Sequence, residues 1–147
     1  MLVIGVFVAA MLAIGSADPG GTPATSAVCP TSATVRDRPP DDPNASSFGP
    51  GPWYINQDKT IWAGTHAEAW IAGTKGNKVM WIRPKGTQLQ ISGRRVDADA
   101  PPLKAYIPCC YLTGFQATRL YFPTTGCWQV RAESGDSRLE VVVEIKR

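Results

Sequence analysis

The stretch Cys127-Trp128-Gln129-Val130-Arg131-Ala132-Glu133-Ser134-Gly135-Asp136-Ser137-Arg138-Leu139-Glu140-Val141-Val142-Val143-Glu144-Ile145 decides the fold class. Two alternating runs flank Ser134-Gly135-Asp136-Ser137, which is the pattern of a β-hairpin with one buried and one solvated face. Leu139, Val141, Val143 and Ile145 fall on one face, opposite Glu140, Val142, Glu144 and Lys146. On the partner run Trp128 and Val130 point inward, while Gln129 and Arg131 point outward. Cys127 shares the outward parity, so it does not enter the core between two sheets as the inter-sheet cysteines of antibody domains do.

Upstream the same texture recurs in short runs: Trp53-Tyr54-Ile55, Ile61-Trp62, Ala69 to Ala72, Lys78 to Arg83, Gln88 to Ser92, Lys104 to Ile107 and Ala117 to Phe122. Strands at intervals of roughly 8–12 residues mark a sandwich or a barrel. No window carries a helical period, and no internal repeat is visible.

Composition agrees. The chain has 147 residues, enough for one domain, and 14 Gly with 13 Pro favour turns over long helices. Fifteen Lys and Arg against 12 Asp and Glu give a net charge of +3, far from the dense positive field of a nucleic-acid binder. A single histidine, His66, removes most histidine-based triad and metal chemistry. Neither G-x-S-x-G, a phosphate loop nor C-x₂-C occurs, and no pair of carboxylates is marked out as catalytic.

Met1 to Ile14 is apolar and uncharged, yet shorter than the roughly 20 helical residues that span a bilayer. With the small residues Gly15-Ser16-Ala17 behind it, residues 1–17 are expected to be a signal peptide, although no Lys or Arg precedes the apolar run. The first cysteine, Cys29, follows Val28, a poor residue before a lipid-attachment site. The expectation is therefore a secreted or periplasmic protein with no stable membrane span after cleavage. Residues 18–52 form an arm rich in Pro, Gly and Ser, expected to be extended and mobile. It carries one glycosylation sequon, Asn44-Ala45-Ser46.

Cys29, Cys109, Cys110 and Cys127 are the disulfide candidates, and four cysteines allow three pairings. A bond from Cys127 to Cys29 would suit the outward parity of Cys127 and would pin the arm. Adjacent Cα atoms lie about 3.8 Å apart, against the usual range of about 4.4–6.8 Å for a disulfide. A Cys109–Cys110 bridge would thus be a rigid turn or a switch rather than a staple. A redox or soft-metal site there is the competing reading.

Trp53, Tyr54 and Trp62 border the polar arm and are candidates for an exposed aromatic platform that binds sugars or protein. Core packing is their alternative role, and it is the expected one for Trp81 and Trp128. Arg94 and Arg95 could hold an anion. Pairing with Asp97 and Asp99 is the plainer reading, because adjacent strand residues face opposite ways. His66-Ala67-Glu68 reads as a surface loop.

Four motifs occur in order: Gly93-Arg94-Arg95-Val96-Asp97-Ala98-Asp99-Ala100-Pro101-Pro102-Leu103, Ile107-Pro108-Cys109-Cys110-Tyr111, Gly114-Phe115-Gln116-Ala117-Thr118, and Phe122-Pro123-Thr124-Thr125-Gly126-Cys127-Trp128. Over about Trp53 to Ile145, and in the Cys29-Pro30 pair, the chain resembles a family of small, uncharacterised, exported bacterial proteins with a C-terminal immunoglobulin-like β-sandwich. The resemblance implies export and an all-β domain, and it implies no reaction. Many relatives lack a cysteine pair at Cys109-Cys110.

The expectation is an all-β, immunoglobulin-like antiparallel β-sandwich over residues 53–147, behind the signal segment and the arm. Its expected role is non-enzymatic binding at the cell envelope, with an envelope protein or a glycan as partner. Nucleic acid, cofactor and metal are not expected. The alternatives are a thiol-redox or soft-metal sensor at Cys109-Cys110 and a carbohydrate-binding module using exposed Trp and Tyr.

Overall fold

The computed structural model describes residues 28–40, 50–65, 70–109 and 111–147. The signal segment, most of the arm, the sequon, His66 and Cys110 lie outside the described residues. The described residues form nine strands: β1 (Trp53–Ile55), β2 (Trp62–Gly64), β3 (Trp70–Ile71), β4 (Asn77–Ile82), β5 (Leu89–Arg95), β6 (Lys104–Tyr106), β7 (Phe115–Tyr121), β8 (Gly126–Ser134) and β9 (Ser137–Lys146). Among the described residues no helix is long and apolar enough to cross a membrane.

The strands form two sheets, ordered β1-β2-β4-β7-β6 and β3-β9-β8-β5. Taking β2, β4, β5, β6, β7, β8 and β9 as successive strands gives A-B-E-D in one sheet and C-F-G in the other, the immunoglobulin order. Two features go beyond that plan. β1 lies outside β2, and β3 leaves the first sheet to run beside β9. The sandwich is thus not wholly antiparallel, because β3 pairs with β9 in parallel. Asn77 explains the position of β3. Its buried amide accepts the Ile71 N–H and donates to the Ile71 and Leu120 carbonyls, tying β3 to β4 and β7.

The deciding hairpin forms as its alternation dictates. Ser134 pairs with Ser137 across the two turn residues. Gly135 takes φ +57° at the first of them, a place where L side chains are disfavoured. The inward residues Trp128, Val130, Ala132, Leu139, Val141, Val143 and Ile145 are all buried in the main core. Trp81, on the B-position strand β4, and Trp128, on the F-position strand β8, stand in this core, and no cystine links those two strands. The Trp81 indole N–H donates to Thr118 Oγ1 at 2.8 Å, so its buried donor is satisfied.

The arm is not a loose tether over its described part. Cys29 bonds to Cys127. The Ser32 N–H donates to the Val142 carbonyl, and the Val142 N–H to Ser32 Oγ. These contacts occupy β9 ahead of the point where β3 joins it. Val35 then exchanges both backbone hydrogen bonds with Trp53 on β1. The arm thus crosses from one sheet to the other and covers an edge of each, which limits edge-to-edge pairing. The expected looseness of the arm is corrected here for residues 29–35, because a covalent bond and backbone hydrogen bonds tie them to both sheets.

A second apolar layer lies on the outer face of the first sheet. Trp53, Trp62, Met80 and Ile82 form it, with Ile55, Phe115 and Ala117 packed alongside. Trp53 and Trp62 are each only 2% exposed and meet edge to face, with ring centroids 6.3 Å apart. β4 is therefore buried on both faces from Val79 to Ile82.

Candidate functional site

The core ends differently at its two extremities. At one end an aromatic chain plugs it. Tyr54 meets Trp70, Trp70 meets Phe122 at 5.9 Å, and Phe122 meets Trp128 at 5.4 Å between centroids. The Trp128 indole N–H donates to the Thr124 carbonyl. Arg95 closes over this end, bonding Asp97 Oδ1 at 2.6 Å and reaching Thr124 Oγ1. Gly126 (φ +124°) admits it, since a Cβ there would meet Arg95 Nε at 2.5 Å.

At the other end the inward row of β4 runs Val79, Trp81 and then Arg83, while that of β7 runs Leu120, Thr118 and Gln116. Polar side chains thus succeed apolar ones between the sheets. Arg83 is only 4% exposed. Its Nε donates to Gln116 Oε1 at 2.8 Å, Nη1 to the Pro84 carbonyl at 3.1 Å, and Nη2 to the Tyr111 carbonyl at 3.0 Å. Gln116 Nε2 in turn donates to the Pro108 carbonyl at 2.9 Å. The pair fixes the loop between β6 and β7 through the carbonyls on either side of the two cysteines. Thr87 Oγ1 bonds the Pro84 carbonyl and Ser134 Oγ, which holds the loop between β4 and β5.

Between these loops lies a cavity of about 370 Å³, walled by Arg83, Gln116, Leu89, Ile107, Tyr111 and Leu112 among others. Burial pushes the Arg83 guanidinium below the ordinary arginine range. It remains a cation, because an arginine stays protonated in proteins. A charged group at the base and apolar walls above it can orient a small polar ligand while burying its body. Among the described residues no three His, Cys, Asp or Glu side chains gather closely enough to hold a metal ion.

The residues singled out from sequence are dispersed. Cys29 and Cys127 are joined, with S–S 2.03 Å and Cα–Cα 5.4 Å, and the bond lies on the outer face where parity placed Cys127. Cys109 is also disulfide-bonded, is exposed, and stands in the wall of the cavity. Trp53 and Trp62 are corrected as an exposed platform, because the second apolar layer buries both rings. Tyr54 is half-buried and turned inward against Trp70. Arg94 and Arg95 do not form a joint anion site. Arg94 lies on the outer face bonded to Gln129 Oε1, whereas Arg95 serves the plugged end.

Sequence reasoning missed Arg83 and Gln116. Parity puts Arg83 on the face of Val79 and Trp81, but the run from Val79 to Ile82 is apolar on both faces, so the sequence does not say which face is the inner one. Compared with models of known families, with curated proteins and with solved structures, the chain matches none.

Proposed function

We propose that this chain is an exported, non-enzymatic binding domain of the bacterial cell envelope, and that it recognises its ligand at the open end of the sandwich. The observation that carries this reading is the 370 Å³ cavity, with a buried cation at its base and Leu112 standing 86% exposed at its wall. Loops on a rigid scaffold are a common place for recognition. The Cys29–Cys127 bond suits an oxidising compartment. The signal-like terminus and the family resemblance point the same way.

The test is a chemical-shift titration of the ¹⁵N-labelled, oxidised protein with mixtures of small acids, amines, glycan fragments and short peptides. Shifts should gather at residues 83–89 and 107–116. Shifts confined to the polar face around Gln129 and Arg131, or none at all, would remove the cavity as the recognition site. Carbohydrate binding through an aromatic platform loses its basis with the burial of Trp53 and Trp62.

A thiol-redox role is the second reading, and one observation favours it. The disulfide-bonded Cys109 lies in the cavity wall, in a loop whose flanking carbonyls Arg83 and Gln116 hold. Graded reduction, followed by alkylation and mass spectrometry, tests it. Cys109 should be labelled well before Cys127, whose sulfur is buried; simultaneous labelling would end the redox reading.

A further inference from the structure

Among the described residues Arg83 is a buried cation without a counter-ion. Its hydrogen bonds go to a side-chain amide and two backbone carbonyls, all neutral. The ion pairs of the described residues join Lys59 to Asp37, Arg95 to Asp97, Arg131 and Arg138 to Glu140, and Lys146 to Glu144, and none reaches Arg83. Among the described residues no carboxylate lines the cavity either. Burying a charge is costly unless it is paired. A guanidinium has five N–H groups, of which three are engaged, leaving one on each terminal nitrogen.

Three of the Arg83 donors hold Gln116 and the loop carbonyls, and none of these neutral acceptors matches its positive charge. Leu112 adds a second anomaly. It is 86% exposed beside the cavity, where it contributes nothing to the core. Leu89 and Ile107 continue the apolar wall inward.

We infer that the Arg83 cavity takes a small organic anion, a carboxylate carried on an apolar body. The carboxylate supplies the counter-ion through the remaining terminal N–H groups, in the forked geometry that arginine offers to carboxylates. The apolar body lies against Leu89 and Ile107, and Leu112 covers it. A cavity of 370 Å³ holds a ligand of roughly one ring with a short side chain. This inference rests on reading the cavity as the recognition site and adds the chemical class of its ligand.

The test varies the probe first and one exposed residue second. Phenylacetate, phenylacetamide and phenethylammonium have nearly the same shape and differ in charge. They are titrated separately into the oxidised protein, following the Arg83 Nε–Hε signal and the backbone amides of residues 107–112. Phenylacetate should bind at least about tenfold tighter than phenylacetamide, as a charge-assisted pair replaces a neutral one. Phenethylammonium should not bind. Leu112→Ser, a change at an exposed position, should weaken phenylacetate several-fold and leave the thermal midpoint unchanged.

Equal affinity for the acid and the amide would overturn the anion assignment while leaving the cavity a binding site. Preference for the ammonium probe would do the same. If no probe moves residues 83–89 or 107–112, the inference and the proposed function fail together. Phenylacetate shifts centred on Arg94 and Arg131 would overturn the site.

Discussion

The two ends of the sandwich share one core and close it by opposite means. At one end Tyr54, Trp70, Phe122 and Trp128 interlock, and the Arg95–Asp97 pair seals them. At the other, Thr118, Gln116 and Arg83 interrupt the apolar rows and leave about 370 Å³ open. Aromatic edge-to-face contacts fill space without leaving polar groups to satisfy. A buried arginine does the reverse, since its donors call for acceptors, and Gln116 with two loop carbonyls takes three of its five N–H groups. The comparison separates two ways of closing one core: rings fill one end, and hydrogen bonds around a buried charge hold the other.

The sharpest way to break this comparison is to empty the plugged end. Trp128→Ala removes a fully buried ring that touches Phe122, and it should cost about 3–5 kcal/mol in urea denaturation. A loss below about 1 kcal/mol would show that the aromatic chain is not a packed plug. Next in size is the clasp that fixes the arm. Converting both Cys29 and Cys127 to Ala opens a loop of sequence separation 98 and should cost about 3 kcal/mol. The double change avoids a stray thiol. An unchanged urea midpoint would mean that the hydrogen bonds of Ser32 and Val35 hold the arm unaided.

A smaller effect tests how β3 reaches the plugged end. Asn77→Ala leaves the Ile71 N–H and carbonyl without their side-chain partner, and it should cost about 2 kcal/mol. Amide exchange should rise first at Ile71 and Ala72. Uniform exchange across both sheets would show that Asn77 does not specifically hold β3.

Much of the fold was legible because alternation is a strong signal where one face meets solvent. β8 and β9 keep that alternation nearly throughout, so their inward residues and the outward place of Cys127 could be read directly. The signal fails on β4. From Val79 to Ile82 every residue is buried, so the run announces a strand and hides its two faces. Trp53 and Trp62 looked available because they border the polar arm, and the outer layer they form with Met80 and Ile82 covers them. Local pattern also misses sites assembled from distant segments. Arg83 comes from one segment and Tyr111 with Gln116 from another, and the pairing of β4 with β7 brings them together. Arg94-Arg95 shows the opposite error: two arginines adjacent in sequence serve different faces and different tasks.

The smallest effect concerns the seal over the plugged end. The hydrogen bond from Arg95 is the chief reason that the Asp97 carboxyl lies below the ordinary carboxylate range, and burial partly opposes it. A carboxyl whose pKa is lowered by folding contributes stability at pH values above its unfolded value of about 4. That contribution is lost as pH falls through the lower folded value. From pH 7 down to about 5 the Arg95–Asp97 pair should therefore leave the urea midpoint unchanged, and below about 4 the midpoint should fall. Asp97→Asn should shift the midpoint down slightly at pH 7 and flatten the acid decline. Because the pair is partly solvated, the change at pH 7 should be well below that for Trp128→Ala. An acid profile identical in the two proteins would show that the aromatic end holds without its seal. The plug alone would then account for the difference between the two ends.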